Sequence, residues 1–252
     1  MESPEITQSI FNTRWTLISE ARDSESDPVV AKRALELIIA RYRPAILGAV
    51  QRNGINPADC EDVCQEFLVN AFLGKTLPRA DRSKGRFRTF LIHTLRMFLI
   101  DYRRRMGAAK RGTHVTDSME NQAPGGEIES ALAIEPRMEL EFEIDFAHCM
   151  HEEVLTGLRQ EYLARKQSAV FDALSPHLLE KEPGLDKIIS ESLGMDEAAA
   201  RKALSRLRQR YGERFLFQVT QIIDEDEDPR FEMKELLKLV LAKTRMEARA
   251  AA

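Results

Sequence analysis

The guanidinium groups of this sequence are bunched. Arg201, Lys202, Arg206, Arg208, Arg210 and Arg214 crowd one short stretch, with Ser205 and Gln209 between them. Guanidinium, amide and hydroxyl groups at that density suit the phosphates and base edges of nucleic acid. A second basic stretch runs from Arg82 to Arg111, where ten basic side chains meet one carboxylate, Asp101. It includes Lys84, Arg86, Arg88, Arg96, Arg103, Arg104 and Arg105, interleaved with Phe87, Phe90 and Phe98. Cations that track phosphates and rings that stack on unpaired bases together suit a single strand. The periodic spacing of the three phenylalanines suits a helix core better, which leaves the arginines as the functional candidates.

Catalytic chemistry is poorly supplied. The carboxylates lie among other acids on amphipathic patterns, with no Ser-His-Asp order and no Gly-rich phosphate loop, so no enzyme is expected. Cys60 and Cys64 at i, i+4 and the run His148-Cys149-Met150-His151 are the only candidates for a metal site. Ordinary buried cysteines and an exposed acidic helix account for them better, and neither a metal nor a cofactor is expected.

The net charge of −4 hides an uneven distribution. From Thr113 to Leu155 eleven carboxylates meet one arginine, Arg137, and the second basic stretch is followed by Asp224-Glu225-Asp226-Glu227-Asp228. Two basic blocks fenced by acidic ones predict two separate anion-binding surfaces.

The elements that must position these groups all read as helices. Residues 28–52 carry Ala34, Leu37, Ile38, Tyr42, Ala45 and Ile46 at helical spacing, and Gly54 ends the run. Asn56-Pro57 predicts a cap and first-turn proline for a helix running through Val63, Phe67 and Ala71 to Gly74. A third stripe, Phe87, Phe90, Leu91, Thr94, Leu95, Phe98, Leu99 and Tyr102, is expected to end at Gly107. Residues 112–137 contain Pro124-Gly125-Gly126 and read as a linker, after which helical pattern resumes at Met138. In Leu185–Arg201 a short helix stops at Gly194 and a second begins after an Asp196 cap, the spacing of a helix-turn-helix. Ala200, Leu204, Leu207 and Tyr211 form the core face of that second helix, leaving Arg201, Lys202, Ser205, Arg206, Arg208 and Gln209 on its other sides. Phe231 to Lys243 predicts a final amphipathic helix.

The expected fold is therefore all-α, with two helical domains joined by a flexible linker. The boundaries are an N-terminal extension over 1–27, a first domain over 28–111, an acidic linker over 112–137, a second domain over 138–223, and an acidic segment with a terminal helix over 224–252. Hydrophobic residues at 43%, charged residues at 31% and few Gly and Pro agree with helical globular domains. The first residues lack the basic start and apolar core of a secretory signal, no apolar run approaches the roughly 20 residues of a membrane span, and the three cysteines are odd in number. A cytoplasmic protein is expected.

Three segments carry a resemblance. Ala58-Asp59-Cys60-Glu61-Asp62-Val63-Cys64-Gln65-Glu66-Phe67 resembles the second region of bacterial sigma factors, often A-E-D-L-x-Q-E-x-F. Gly85-Arg86-Phe87-Arg88-Thr89-Phe90-Leu91 with Asp101-Tyr102-Arg103-Arg104 resembles their promoter-melting segment, and Leu185–Arg201 resembles their fourth region. The chain is thus similar to extracytoplasmic-function (ECF) sigma factors. Thr13-Arg14-Trp15-Thr16-Leu17 and the tail helix look like a larger subfamily often seen in Planctomycetes-like bacteria.

The resemblance implies specific roles. Asp59, Asp62, Gln65 and Glu66 would grip the clamp helices of the RNA polymerase β′ subunit, with the β flap a further polymerase contact. Lys84, Arg86, Arg88, Arg96, Met97, Arg103, Arg104 and Arg105 would bind and open the promoter −10 element. Arg201, Lys202, Ser205, Arg206, Arg208 and Gln209 would read the −35 element. Many family members carry Asn at the position matching Met97, and a thioether cannot donate the same hydrogen bonds. The resemblance also implies an anti-sigma partner. The rival reading of the same motifs is a helix-turn-helix repressor or activator that works without polymerase.

Overall fold

A computed structural model of the chain describes residues 14–22, 27–74, 77–80, 86–112, 135–180, 182–223 and 227–250, apart from the side chains of 14–17, 73, 78, 108–112, 135–136 and 248–250. Among these residues every regular element is helical, as the sequence predicts. The α-helices are α1 (Arg14–Arg22), α2 (Pro28–Arg52), α3 (Cys60–Leu68), α4 (Phe87–Gly112), α5 (Glu135–Ala164), α6 (Ser168–Leu174), α7 (Leu185–Leu193), α8 (Glu197–Thr220) and α9 (Pro229–Ala250). Two compact units, Met1–Phe146 and Ala147–Ala252, divide within α5.

The first unit is built on α2. Asp27 caps it by accepting from the N–H groups of Val29 at 3.1 Å and Val30 at 3.0 Å, and Pro28 stands at the first helical position, where no N–H is needed. Pro44 lies inside the helix and removes a hydrogen bond, a cost of about 3 kcal/mol in isolation. The helix survives because Ala31, Ala34, Ile38, Tyr42, Ala45, Ile46, Ala49 and Val50 bury one continuous face. At its end Gly54 adopts a left-handed φ of 71°.

Helix α3 starts at Cys60, later than the proline at 57 suggests. Asn56 accepts from the Ala58 N–H at 3.1 Å, and residues 57–59 form a turn before the helix. Val63, Cys64, Phe67 and Leu68 face inward, and a π-helical turn over Val69–Leu73 carries the chain to Gly74. Helix α4 buries Phe87, Leu91, Leu95 and Leu99. It continues past the expected stop at Gly107 to Gly112. A single glycine costs a helix only about 1 kcal/mol, and Ala108-Ala109-Lys110 are strong helix formers. Tyr42 meets Phe87 edge-on at 5.5 Å and stacks on Phe146 at 5.3 Å, so three helices converge on one ring cluster.

Phe146 belongs to α5, which begins at Glu135, three residues before the periodicity resumes at Met138. Met138, Phe142 and Phe146 are buried in the first unit, so this part of the helix belongs with α2 and α4. Gly48 on α2 makes the approach possible, because a Cβ there would collide with the Asp145 carboxylate. Residues 113–134, most of the expected linker, lie outside the described residues, as does the Thr13 end of the opening motif.

In the second unit, Met150, Val154, Leu158 and Tyr162 of α5 are buried, as are Phe171 and Leu174 of α6. Leu185 and Ile189 of α7 and Ala200, Leu204, Leu207, Tyr211, Phe215 and Val219 of α8 complete the core. Gly194 ends α7 with φ 62°, a conformation that costs glycine nothing. Asp196 then caps α8 by accepting from the Ala199 N–H at 2.9 Å. Helix α9 packs against α8 through Leu236 and Val240 and extends beyond the expected Phe231–Lys243 on both sides.

Candidate nucleic-acid interface

The first unit presents an acidic helix edge and a basic one. On α3, inward Val63 and Phe67 leave Asp62 and Gln65 exposed, with Asp59 exposed just before the helix and Glu66 partly so. Arg105 of α4 donates to Glu66 at 2.7 Å, joining the two edges, and Arg43 of α2 pairs with Glu61.

Along α4 and at Arg86 just before it the predicted DNA contacts divide. Arg86, Arg103, Arg104 and Arg105 are exposed, and Met97 is 46% exposed. Arg103 donates to the Asn53 carbonyl where α2 ends, Arg104 lies 3.4 Å from Asp101, and the Arg105 guanidinium sits 5.7 Å from the Tyr102 ring centre. The structure puts Arg88 and Arg96 elsewhere. Arg88 is 3% exposed, with Nε donating to Glu143 of α5 at 2.9 Å and its guanidinium 5.2 Å from the Phe146 ring centre. Arg96 is 9% exposed. Both lie on the Ile92 side of α4, which the packing buries together with the phenylalanine face. Neither is presented to DNA in this conformation. Lys84 lies outside the described residues.

The same packing revises the charge pattern. Glu141 and Asp145 of α5 both accept from Arg52 of α2, the former at 3.1 Å, and Glu143 accepts from Arg88. One carboxylate of the acidic block, Glu143, therefore meets one arginine of the first basic block, Arg88, while two others meet Arg52 of α2 outside that block. Sequence reading missed Arg52, Glu143 and Asp145 as structural partners, and the opposite signs of adjacent blocks were the available clue.

In the second unit, α7 and α8 are joined by the turn Gly194–Asp196, and the outer face of α8 exposes Arg201, Lys202, Ser205, Arg206 and Gln209. Arg201 donates to Asp186 of α7 through Nε at 3.1 Å and also through Nη2, while Gln209 donates to Glu213 at 2.9 Å. Arg208 departs from the expected DNA face. Its guanidinium donates to the carbonyls of His177 at 3.0 Å, Leu178 at 3.1 Å and Glu180 at 2.5 Å, tying α8 to the chain before α7. These carbonyls have no following helix or strand to pair with, and a planar five-donor group satisfies several at once. Arg210 and Arg214 both pair with Glu161 of α5, and Gly157 leaves room for the Arg214 guanidinium.

Among the described residues no group of three or more His, Cys, Asp or Glu side chains is arranged to hold a metal ion. Burial pushes the Cys64 thiol up to about 11, which disfavours the thiolate a metal would need. His151 is buried, bonded to the Tyr211 hydroxyl at 2.8 Å, and burial followed by nearby His148 pulls its pKa down to about 4. Burial, then Glu152, pushes the Tyr211 hydroxyl well above its ordinary value. The pair is a neutral core hydrogen bond. Among the described residues no helix is long and apolar enough to cross a membrane.

The first unit is thus a helical unit that sets the acidic edge of α3 beside the exposed arginines of α4. Residues 38–108 match the family model of sigma-70 region 2. The matched segment runs from the middle of α2 into α4 and contains every candidate residue of the first unit, while the α7–α8 face lies beyond it. This match supports a sigma-70 family factor with a role in transcription initiation by RNA polymerase. No curated protein and no solved structure matches the chain.

Proposed function

We propose that the chain is a sigma factor of the ECF type that binds core RNA polymerase, recognises the −35 and −10 elements of a promoter and promotes DNA melting. The observation that carries this reading is the sigma-70 region 2 match over residues 38–108, within which the exposed Asp59, Asp62 and Gln65 and the partly exposed Glu66 form one edge. That edge grips the β′ clamp helices, where carboxylates complement a basic partner. Arg86, Met97, Arg103, Arg104 and Arg105, with Lys84, engage the opened −10 strand. In the second unit, Arg201, Lys202, Ser205, Arg206 and Gln209 enter the major groove at the −35 element, and the polymerase β flap supports that unit. The protein acts in the cytoplasm by binding and not by catalysis, and an anti-sigma protein holds it inactive by covering these surfaces.

Gel filtration of the full chain with core polymerase tests the reading. Co-elution, followed by transcription from a promoter of its own genome, is expected. A chain that binds duplex DNA and never joins polymerase would instead be a repressor or activator acting alone.

A further inference from the structure

The Asp186–Arg201 pair is not what holds α7 against α8. Leu185, Ile189, Ala200 and Leu204 are buried and supply that contact, and exposed ion pairs contribute little. Its geometry is nevertheless specific. Asp186 Oδ2 accepts from both Nε and Nη2 of Arg201, while Oδ1 accepts from the Lys187 N–H at 3.2 Å. The carboxylate sits in the first turn of α7, where the helix N-terminus favours negative charge. Both of its oxygens are engaged, so its direction is fixed. A guanidinium is planar, and fixing one edge orients the other.

The side chain so held is outward. Arg201 is 69% exposed, and it lies near the start of α8, the part of a major-groove helix that reaches base edges. Asp186 takes the Nε side of the guanidinium. The Nη1–Nη2 edge then offers two parallel N–H donors. In the major groove, guanine alone sets two acceptors, O6 and N7, side by side, whereas adenine pairs one acceptor with a donor. A mobile arginine could turn to a phosphate or to any single acceptor. A clamped one matches a paired acceptor and loses less rotamer freedom on binding.

We infer that Asp186 is a positioning residue, holding Arg201 so that its Nη1–Nη2 edge reads one guanine in the −35 duplex. The inference rests on the promoter-reading role proposed for the second unit.

The test uses holoenzyme assembled from core polymerase and the full chain, selecting from duplexes randomised across the −35 region. Wild type should enrich guanine at one position that R201A no longer prefers. D186N should unfold at the wild-type temperature and bind total DNA as well or better, because a negative charge near the phosphates is gone. At that one position, however, it should lose roughly five- to tenfold of the guanine preference. D186E should restore part of it, since a carboxylate is again in reach. D186S, which keeps an oxygen at the helix start, is measured alongside so that misfolding cannot mimic lost selectivity. Full guanine preference in folded D186N or D186S overturns the inference and leaves the promoter-reading role standing, as does an unchanged preference in R201A. A wild-type holoenzyme that enriches no sequence there removes the promoter-reading role, and the inference with it.

Discussion

Arg88 of α4, a buried guanidinium, pairs with the partly exposed Glu143 of α5, with Nε 2.9 Å from Oε1 and the Phe146 ring 5.2 Å from the guanidinium. Arg88 lies in the segment that resembles a promoter-melting element, yet here it braces one helix against another. A guanidinium out of water needs both its partner carboxylate and its ring contact. Arg88→Ala should therefore lower the stability of the first unit by about 2–3 kcal/mol, less than for a fully buried pair because Glu143 keeps some solvent contact. Urea unfolding of the full chain measures it. A wild-type midpoint in R88A would show that the pair holds nothing together.

Arg208 makes the corresponding prediction for the second unit. Its donors satisfy three carbonyls, so Arg208→Ala leaves the 177–180 turn without them, at a cost of about 1–3 kcal/mol. Arg208→Lys, with a single ammonium, should fall between. Arg206 touches no such group among the described residues and is exposed. R206A should unfold like wild type and weaken −35 duplex binding by about 1–3 kcal/mol if a base edge is lost, or lower the salt slope by about one if a phosphate is lost. Equal DNA affinity in R206A and wild type would take this side chain out of the interface.

These two arginines show where the sequence was legible and where it was not. Hydrophobic spacing located the helices, and the core face Ala200, Leu204, Leu207 and Tyr211 is buried as its i, i+4, i+7 pattern requires. Exposure of Asp62 and Gln65 followed from the same geometry. Charge was harder to read, because spacing says which way an arginine leaves its helix but not which element it will meet. Arg88 and Arg208 look like Arg86 and Arg206 in sequence. Arg88 nevertheless meets Glu143, fifty-five positions away, and Arg208 meets carbonyls about thirty positions away, which no local pattern contains. Helix ends were misjudged for a smaller reason, since Gly107 is too mild a breaker to stop α4.

His151 gives the second unit a pH dependence with a definite sign. Its folded pKa of about 4 lies below the ordinary histidine value of 6.5, so between those values the unfolded chain binds a proton that the folded chain does not. Stability is fully present above about pH 6.5, falls as pH drops towards about 4, and stops falling from this source below that. The whole window is worth at most about 3 kcal/mol. Urea midpoints at pH 7 and pH 5 should differ more in wild type than in His151→Gln, whose amide can still bond Tyr211 but does not titrate. Equal differences would mean that the imidazole is not held neutral.

The acidic edge of α3 should decide polymerase binding. Asp62 and Glu66 lie on its outer side, and the only ion pair that joins either to another described residue is Glu66 with Arg105, an exposed contact worth at most about 1 kcal/mol. Reversing both charges, D62K with E66K, should thus leave helicity by circular dichroism unchanged. It should weaken core-polymerase binding by at least about 2 kcal/mol, since each lysine opposes a basic partner surface. A double variant that still co-elutes with polymerase would remove α3 from the contact.

Promoter opening separates a sigma factor from a repressor, and the structure sharpens which residues should matter. A repressor reads paired bases and gains nothing from a single strand. Arg86, just before α4, and Met97 and Arg103 to Arg105 on it are instead exposed and mostly cationic, while Phe87, Leu91, Leu95 and Leu99 are buried, and such a surface suits a strand whose bases have come apart. Holoenzyme carrying the wild-type chain should give permanganate-reactive thymines around the −10 element of its own promoter. Arg86→Ala should reduce that reactivity several-fold while closed-complex binding changes little, because the −35 contacts persist. Arg88→Ala should act differently: any loss of opening should track loss of folded protein and disappear at temperatures where the variant is fully folded. If R88A stays defective when folded while R86A opens normally, Arg88 must leave Glu143 to meet DNA in the open complex. If wild-type holoenzyme melts no promoter of its genome, the second unit is left as a duplex reader and the repressor reading takes its place.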